Sequence, residues 1–112
     1  MYYIRVDGQP TPEPDLMRWA LWLEIHNDQK RIVLTKGDRH VVSTVFLTLD
    51  HNFTNKGPPI LFESMVFRRK AWEKGGSLTD LDCDHYTTIE AAKQGHERMC
   101  HKWITEGNWG SD

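Results

Sequence analysis

Residues 40–49 read His-Val-Val-Ser-Thr-Val-Phe-Leu-Thr-Leu, and this run restricts the fold more than any other part of the chain. β-Branched and aromatic side chains dominate it, the residue types that suit a pleated, packed surface. Side chains alternate across a strand, so Val41, Val45, Leu47 and Leu49 share one face and Val42, Thr44, Phe46 and Thr48 the other. Both faces are partly apolar, which predicts a central strand with neighbours on each side.

The flanking sequence supplies those neighbours. Arg31-Ile32-Val33-Leu34-Thr35 is short and β-branched, and Lys36-Gly37-Asp38-Arg39 supplies a turn into the central run. Asn52, Asn55, Gly57, Pro58 and Pro59 break the pattern over 50–59, and alternation resumes over 60–67. Hairpin following hairpin makes a meander. Before it, Asp7-Gly8 reads as a tight turn after a short edge strand, and Thr11-Pro12-Glu13-Pro14-Asp15 opens a helix that Thr11 or Asp15 can cap. Leu16, Trp19, Ala20 and Leu23, with Trp22 at the margin, form that helix's core-facing stripe. After the meander, 68–86 shows no period and reads as a long loop, with Gly75-Gly76-Ser77 marking a flexible segment. A second helix opens at Thr87 with the capping-box pattern Thr87-Thr88-Ile89-Glu90 and presents Ile89, Ala92, His96, Met99, Cys100 and Trp103 inward. Gly107 ends it.

The predicted architecture is therefore α+β: a three- to four-stranded antiparallel β-meander with two helices packed on one face. One domain fits 112 residues. Its parts are an edge strand and turn (1–10), a helix (11–26), the meander (31–67), the long loop (68–86), a helix (87–106) and a tail (107–112).

Charge and cysteine content limit the function classes. A net charge of −2 gives no overall attraction to nucleic acid or acidic lipid, and the short basic cluster Arg68, Arg69, Lys70 and Lys74 precedes the acidic Asp80, Asp82 and Asp84. Both runs read as solvated surface, so nucleic acid is not an expected partner. Two cysteines are too few for a disulfide framework, and no segment has the character of a signal peptide or membrane span. A cytoplasmic location without membrane association is the expectation. Phosphate-loop, dinucleotide, Gly-x-Ser-x-Gly and His-Glu-x-x-His signatures are missing from the sequence, and no cofactor is expected.

Three groups of residues could carry chemistry. Asp50, His51 and Asn52 with Glu63 bring carboxylates and an imidazole to one end of a hairpin, a set able to hold a metal or to act as acid and base. Asp and Asn at a strand end also form side-chain-to-backbone turns, which would account for both without a ligand. His96 lies on the apolar stripe of the last helix, where a packed histidine is commoner than a catalyst. Cys83, His85, His96 and Cys100 could together ligate zinc, although the single residue between Cys83 and His85 is tighter than the usual ligand spacing.

The runs Val42-Ser43-Thr44-Val45-Phe46-Leu47, Leu49-Asp50-His51-Asn52-Phe53, Gly57-Pro58-Pro59 and Phe62-Glu63-Ser64-Met65-Val66-Phe67, with Tyr86-Thr87-Thr88 and Gly95-His96, resemble a family of small uncharacterised bacteriophage and prophage proteins. The stretch from 68 to 84 is longer and more charged than the connection associated with that family. The resemblance implies a phage or prophage origin and groups Asp50, His51, Glu63 and His96 in one pattern. It also favours an accessory protein that acts by binding, as an inhibitor of a host or defence protein in the host cytoplasm. The alternatives are a small metal- or nucleotide-binding enzyme built on Asp50, His51, Glu63 and His96, or a virion assembly protein that associates through the edge strand 31–35.

Overall fold

The alternating central run does form an inner strand, and the sheet around it has one strand more than the three clearest sequence runs supply. The computed structural model describes residues 1–54, 56–75 and 78–105. In chain order these form β1 (Tyr3–Val6), β2 (Gln9–Pro12), α1 (Leu16–Ile25), a 3₁₀ turn (Asn27–Lys30), β3 (Arg31–Lys36), β4 (His40–Phe46), β5 (Phe62–Arg68), α2 (Arg69–Lys74), β6 (Asp82–Tyr86), α3 (Ile89–Cys100) and a closing π-helical turn (His101–Thr105). Strands β3-β4-β5-β6 make a four-stranded antiparallel meander, and β1 and β2 pair as a separate two-stranded hairpin. The fold is α+β, with the sheet at the upper end of the expected strand count.

Register explains how the two faces differ. Thr44 lies opposite Ser64, Phe46 opposite Phe62, and Phe62 opposite Tyr86. These residues and Val42 and Val66 face α3, which buries Ile89, Ala92, Gly95, His96 and Met99 against them. One core cluster joins Phe46, Leu61, Phe62, Tyr86, Ile89 and Ala92 and receives Trp22 of α1 and Tyr3 of β1; a second joins Val42, Val66 and Met99. Phe46 and Phe62 are 2% and 0% exposed, so each contributes roughly 2–3 kcal/mol by leaving water. On the opposite face, α2 covers one end by setting Trp72 5.6 Å from the Phe67 ring, with the Arg31 guanidinium 5.5 Å from Trp72. Val41 and Ser43 on that face are also buried, whereas Val45, Glu63, Met65, Cys83 and His85 are half-buried or exposed.

Several local expectations change. Residues 9–12 are a strand paired with Tyr3–Val6 through the Asp7-Gly8 turn, whose φ values are 52° and 81°. The first helix therefore starts at Leu16 rather than near Thr11, capped by Asp15, whose carboxylate accepts from the N–H groups of Met17 and Arg18. Its expected core stripe is only partly inward: Trp19, Trp22 and Leu23 are half-buried, whereas Leu16 and Ala20 are exposed. The stretch 68–86 is not a plain loop, because it contains α2 and the fourth strand. The cap of α3 is Thr88, accepting from Ala91 N–H at 3.1 Å, so Thr87 and Glu90 do not form the capping box. The central strand ends at Phe46 because Thr48 takes φ 57°, a conformation that costs a β-branched residue energy. That turn aims the Thr48 carbonyl at Tyr3 N–H (2.8 Å) and the Trp19 indole N–H (3.2 Å), tying β1 and α1 to the sheet. The Gly76-Ser77 part of the expected flexible segment, the expected helix end at Gly107 and the tail 107–112 lie outside the described residues.

Candidate functional site

The residues grouped by sequence separate into three neighbourhoods. Asp50 and Asn52 build the connection after β4. The Asp50 carboxylate accepts from Asn52 N–H (2.7 Å) and from Ile60 N–H (3.0 Å), closing the connection at its base. The Asn52 side chain accepts from the Thr54 N–H and hydroxyl and donates to the carbonyls of Lys56 and Pro58. His51 sets its ring 5.8 Å from that of Phe53, and its backbone N–H donates to the Ile60 carbonyl. Asp50 and Asn52 thus have the turn-forming role that their residue types allow without a ligand.

His96 belongs to a polar chain inside the core. Its Nε2 lies 2.9 Å from the Thr35 hydroxyl and its Nδ1 2.7 Å from the Thr44 hydroxyl, which lies against that of Ser64. A neutral imidazole offers one donor and one acceptor, and two hydroxyls satisfy both. Burial lowers the His96 pKa, opposed by the Glu97 carboxylate. His96 is 4% exposed and keyed to two strands, a structural role. It lies on the α3 side of the sheet, whereas Glu63 follows Phe62 and precedes Ser64 and so points to the other side.

Glu63 finds different company. It lies opposite His85 on β6, and Met65 lies opposite Cys83, so Glu63, His85 and Cys83 share the sheet face away from α3. The Glu63 Oε2 is 2.9 Å from His85 Nε2 and 3.8 Å from Cys83 Sγ. Among the described residues, this is the group of three His, Cys, Asp or Glu side chains whose ligand atoms all lie within 4.8 Å of one another. The Glu63 side chain is 15% exposed and that of His85 43%, so the group is open on one side. Burial, followed by the charges of Glu63 and Asp80, pushes the Cys83 thiol pKa up to about 11. A thiol kept protonated by burial and neighbouring carboxylates is a poor nucleophile, and the imidazole here contacts the carboxylate, an arrangement unlike that of a cysteine-histidine catalytic pair.

Sequence spacing missed the group because 68–86 read as a loop. The one-residue gap between Cys83 and His85 is too short for a loop or helix pair, yet in a strand it puts both side chains on one face. The alternation of Asp82, Asp84 and Tyr86 with Cys83 and His85 was the available signal. His96 and Cys100, the other half of the four-ligand zinc arrangement, lie on α3 across the sheet.

A second missed feature is the outward side of α1. Met17, Leu21 and Ile25 recur every four residues and are 75%, 56% and 61% exposed. The helix is apolar around most of its circumference, and one side of it covers the sheet end through Trp19 and Trp22. No described helix is long and apolar enough to cross a membrane. No family model, curated protein or solved structure matches the chain.

Proposed function

We propose that this chain is a non-enzymatic binding protein that docks on another protein through the outward stripe of α1. The observation that carries the reading is the exposure of Met17, Leu21 and Ile25 along one side of a short helix. Together Met17, Leu21 and Ile25 present on the order of 350 Å² of apolar-residue surface, within the range of the largest patch on an ordinary monomer and often functional at that size. Anchors at i, i+4 and i+8 fit an apolar groove in the helix-in-groove manner.

The chemistry favours protein over lipid. A helix that lies on a membrane carries Lys and Arg along its polar face, whereas the charges of α1 are one Arg18 and one Glu24. The half-buried tryptophans hold the helix in place before binding, which lowers the ordering cost of association. The sequence resemblance to small phage and prophage proteins makes a host or defence protein the partner of first choice.

The test compares immobilised protein with its Met17→Glu and Leu21→Lys variants for partner capture from bacterial host lysate, with light scattering on each. Both side chains are exposed, so the variants should melt like the parent. The expected result is a specific partner retained by the parent and lost by both variants. A parent that captures nothing, variants that capture the same partner equally, or a parent dimer that the variants convert to monomer would each overturn the reading; the last assigns the stripe to self-association.

A further inference from the structure

We propose that Glu63, Cys83 and His85 form a mononuclear site for a borderline divalent cation of the zinc class, with a fourth position open to water. The site is separate from the α1 surface and does not depend on its function.

Geometry supplies the first argument. Bonds of about 2.3 Å to sulfur and 2.0–2.2 Å to nitrogen and oxygen, at tetrahedral angles, separate ligand atoms by roughly 3.4–3.6 Å. Here Glu63 Oε2 stands 2.9 Å from His85 Nε2 and 3.8 Å from Cys83 Sγ, and every pair in the group is within 4.8 Å. Adjustments within ordinary side-chain freedom would close the donors around one ion. The backbone already fixes their origin: Cys83 and His85 are two residues apart on one strand, and Glu63 is the direct cross-strand partner of His85. Only side-chain rotation, with no change of strand register, is needed to bring the three donors to one ion.

Donor chemistry supplies the second. A thiolate, an imidazole and one carboxylate discriminate against magnesium and calcium, which require mostly oxygen ligands, and favour zinc or cobalt. Three protein ligands with the imidazole exposed leave a coordination position for water, as in open zinc sites. Binding would replace the thiol proton of Cys83 by the metal and release that proton to solvent. His85 would carry its remaining proton on Nδ1, so its Nε2 contact to Glu63 would give way to a shared ion. Because β6 is the outer strand of the meander, the ion would also fasten it to β5 by side chains as well as by the ladder.

The experiment is a Co²⁺ titration of the reduced, tag-free full chain, followed by Zn²⁺ displacement, with thermal melting in parallel. The expected result is one Co²⁺ per chain, a thiolate-to-cobalt charge-transfer band in the near ultraviolet, and a melting temperature raised by Zn²⁺. Cys83→Ser should abolish the band. His85→Gln and Glu63→Gln should weaken binding by roughly tenfold or more. Cys100→Ser should leave the band intact. Circular dichroism confirms folding of each variant, and the two exposed positions, Cys83 and His85, give independent readings. Absence of saturable binding, a band that survives Cys83→Ser, or one that disappears with Cys100→Ser would overturn the site.

Discussion

Gly95 offers the sharpest test of how α3 is seated, because two ordinary effects oppose each other there. In the interior of a helix, Gly→Ala stabilises by about 1 kcal/mol through propensity alone. A Cβ built on Gly95, however, would overlap the hydroxyl oxygen, Cζ and Cε1 of Tyr86. The ring cannot step aside cheaply: Tyr86 is 6% exposed, in register with Phe62, and part of the cluster with Phe46, Ile89 and Ala92. Either the ring leaves, losing about 2–3 kcal/mol of burial, or the helix lifts and strains contacts along its length, at about 2–3 kcal/mol because ring carbons as well as the hydroxyl are overlapped. Subtracting the propensity gain leaves a net destabilisation of about 1–2 kcal/mol, or a fall in Tm of roughly 4–10 °C for a chain of this size. Urea and thermal unfolding of Gly95→Ala measure it. Tyr86→Phe should not rescue the variant, since ring carbons as well as the hydroxyl conflict with the new methyl. In a Tyr86→Leu background the same substitution should turn neutral or stabilising, a coupling that a double-mutant cycle resolves. A Gly95→Ala protein more stable than the parent, or an equal effect in both backgrounds, would refute the close seating of the ring on the helix.

Other substitutions probe the polar core and the connection. Thr44→Val keeps the shape of the side chain but removes the hydroxyl between His96 and Ser64, and urea denaturation should find it about 1–3 kcal/mol less stable. His96 has a folded pKa below its usual 6.5 because of burial, so the unfolded chain binds the proton more readily. Its contribution is fully present above pH 6.5 and is lost as the pH falls toward the folded value, with a slope of at most about 1.4 kcal/mol per pH unit. Melting curves from pH 7.5 to 5 should show this loss, and His96→Gln should flatten the slope relative to the parent. Asp50→Ala removes the acceptor of two backbone N–H groups and should cost about 1–2 kcal/mol by urea denaturation; Asp50→Asn, which keeps one oxygen, should cost less.

What the sequence discloses about this fold depends on how strongly each segment's pattern follows its period. The central strand and its two nearest neighbours were legible because Val41 to Phe46 and Phe62 to Phe67 alternate under burial from both sides. The inner stripe of α3 was legible because Ile89, Ala92, His96 and Met99 keep helical spacing. The fourth strand was not, because Asp82-Cys83-Asp84-His85 is polar on both faces and gains its conformation from pairing with β5 rather than from its own burial. The N-terminal hairpin was half legible: Asp7-Gly8 announces a turn, but Pro12 and Pro14 read as a helix opening, whereas Pro10 and Pro12 lie in an edge strand, which can accept both. The same gap hid the Glu63 group, since its three members meet only once β6 is placed. Asp50 and Asn52 were legible as turn residues, and hydrogen bonds to the backbone account for both.

The Gly95-His96 pair shows why a short motif can look functional and be architectural. Gly95 sets how closely α3 approaches the sheet, by admitting the Tyr86 ring where any side chain would hold the helix off. His96, the next residue, sets where α3 sits along and across the sheet, because its two ring nitrogens meet hydroxyls on β3 and β4. A purely apolar contact would allow the helix to slide by small rotations at little cost, whereas two directional bonds to a buried imidazole penalise any displacement that breaks them. With spacing and position both fixed from the α3 side, the opposite face of the sheet is free of that duty. Glu63, Cys83 and His85 can then keep polar, half-open positions there because the strands carrying them are held by the core behind them rather than by their own burial. A metal-binding defect with unchanged urea stability in His85→Gln, against unchanged metal binding with reduced stability in Thr44→Val, is the outcome this division of labour between the two faces requires.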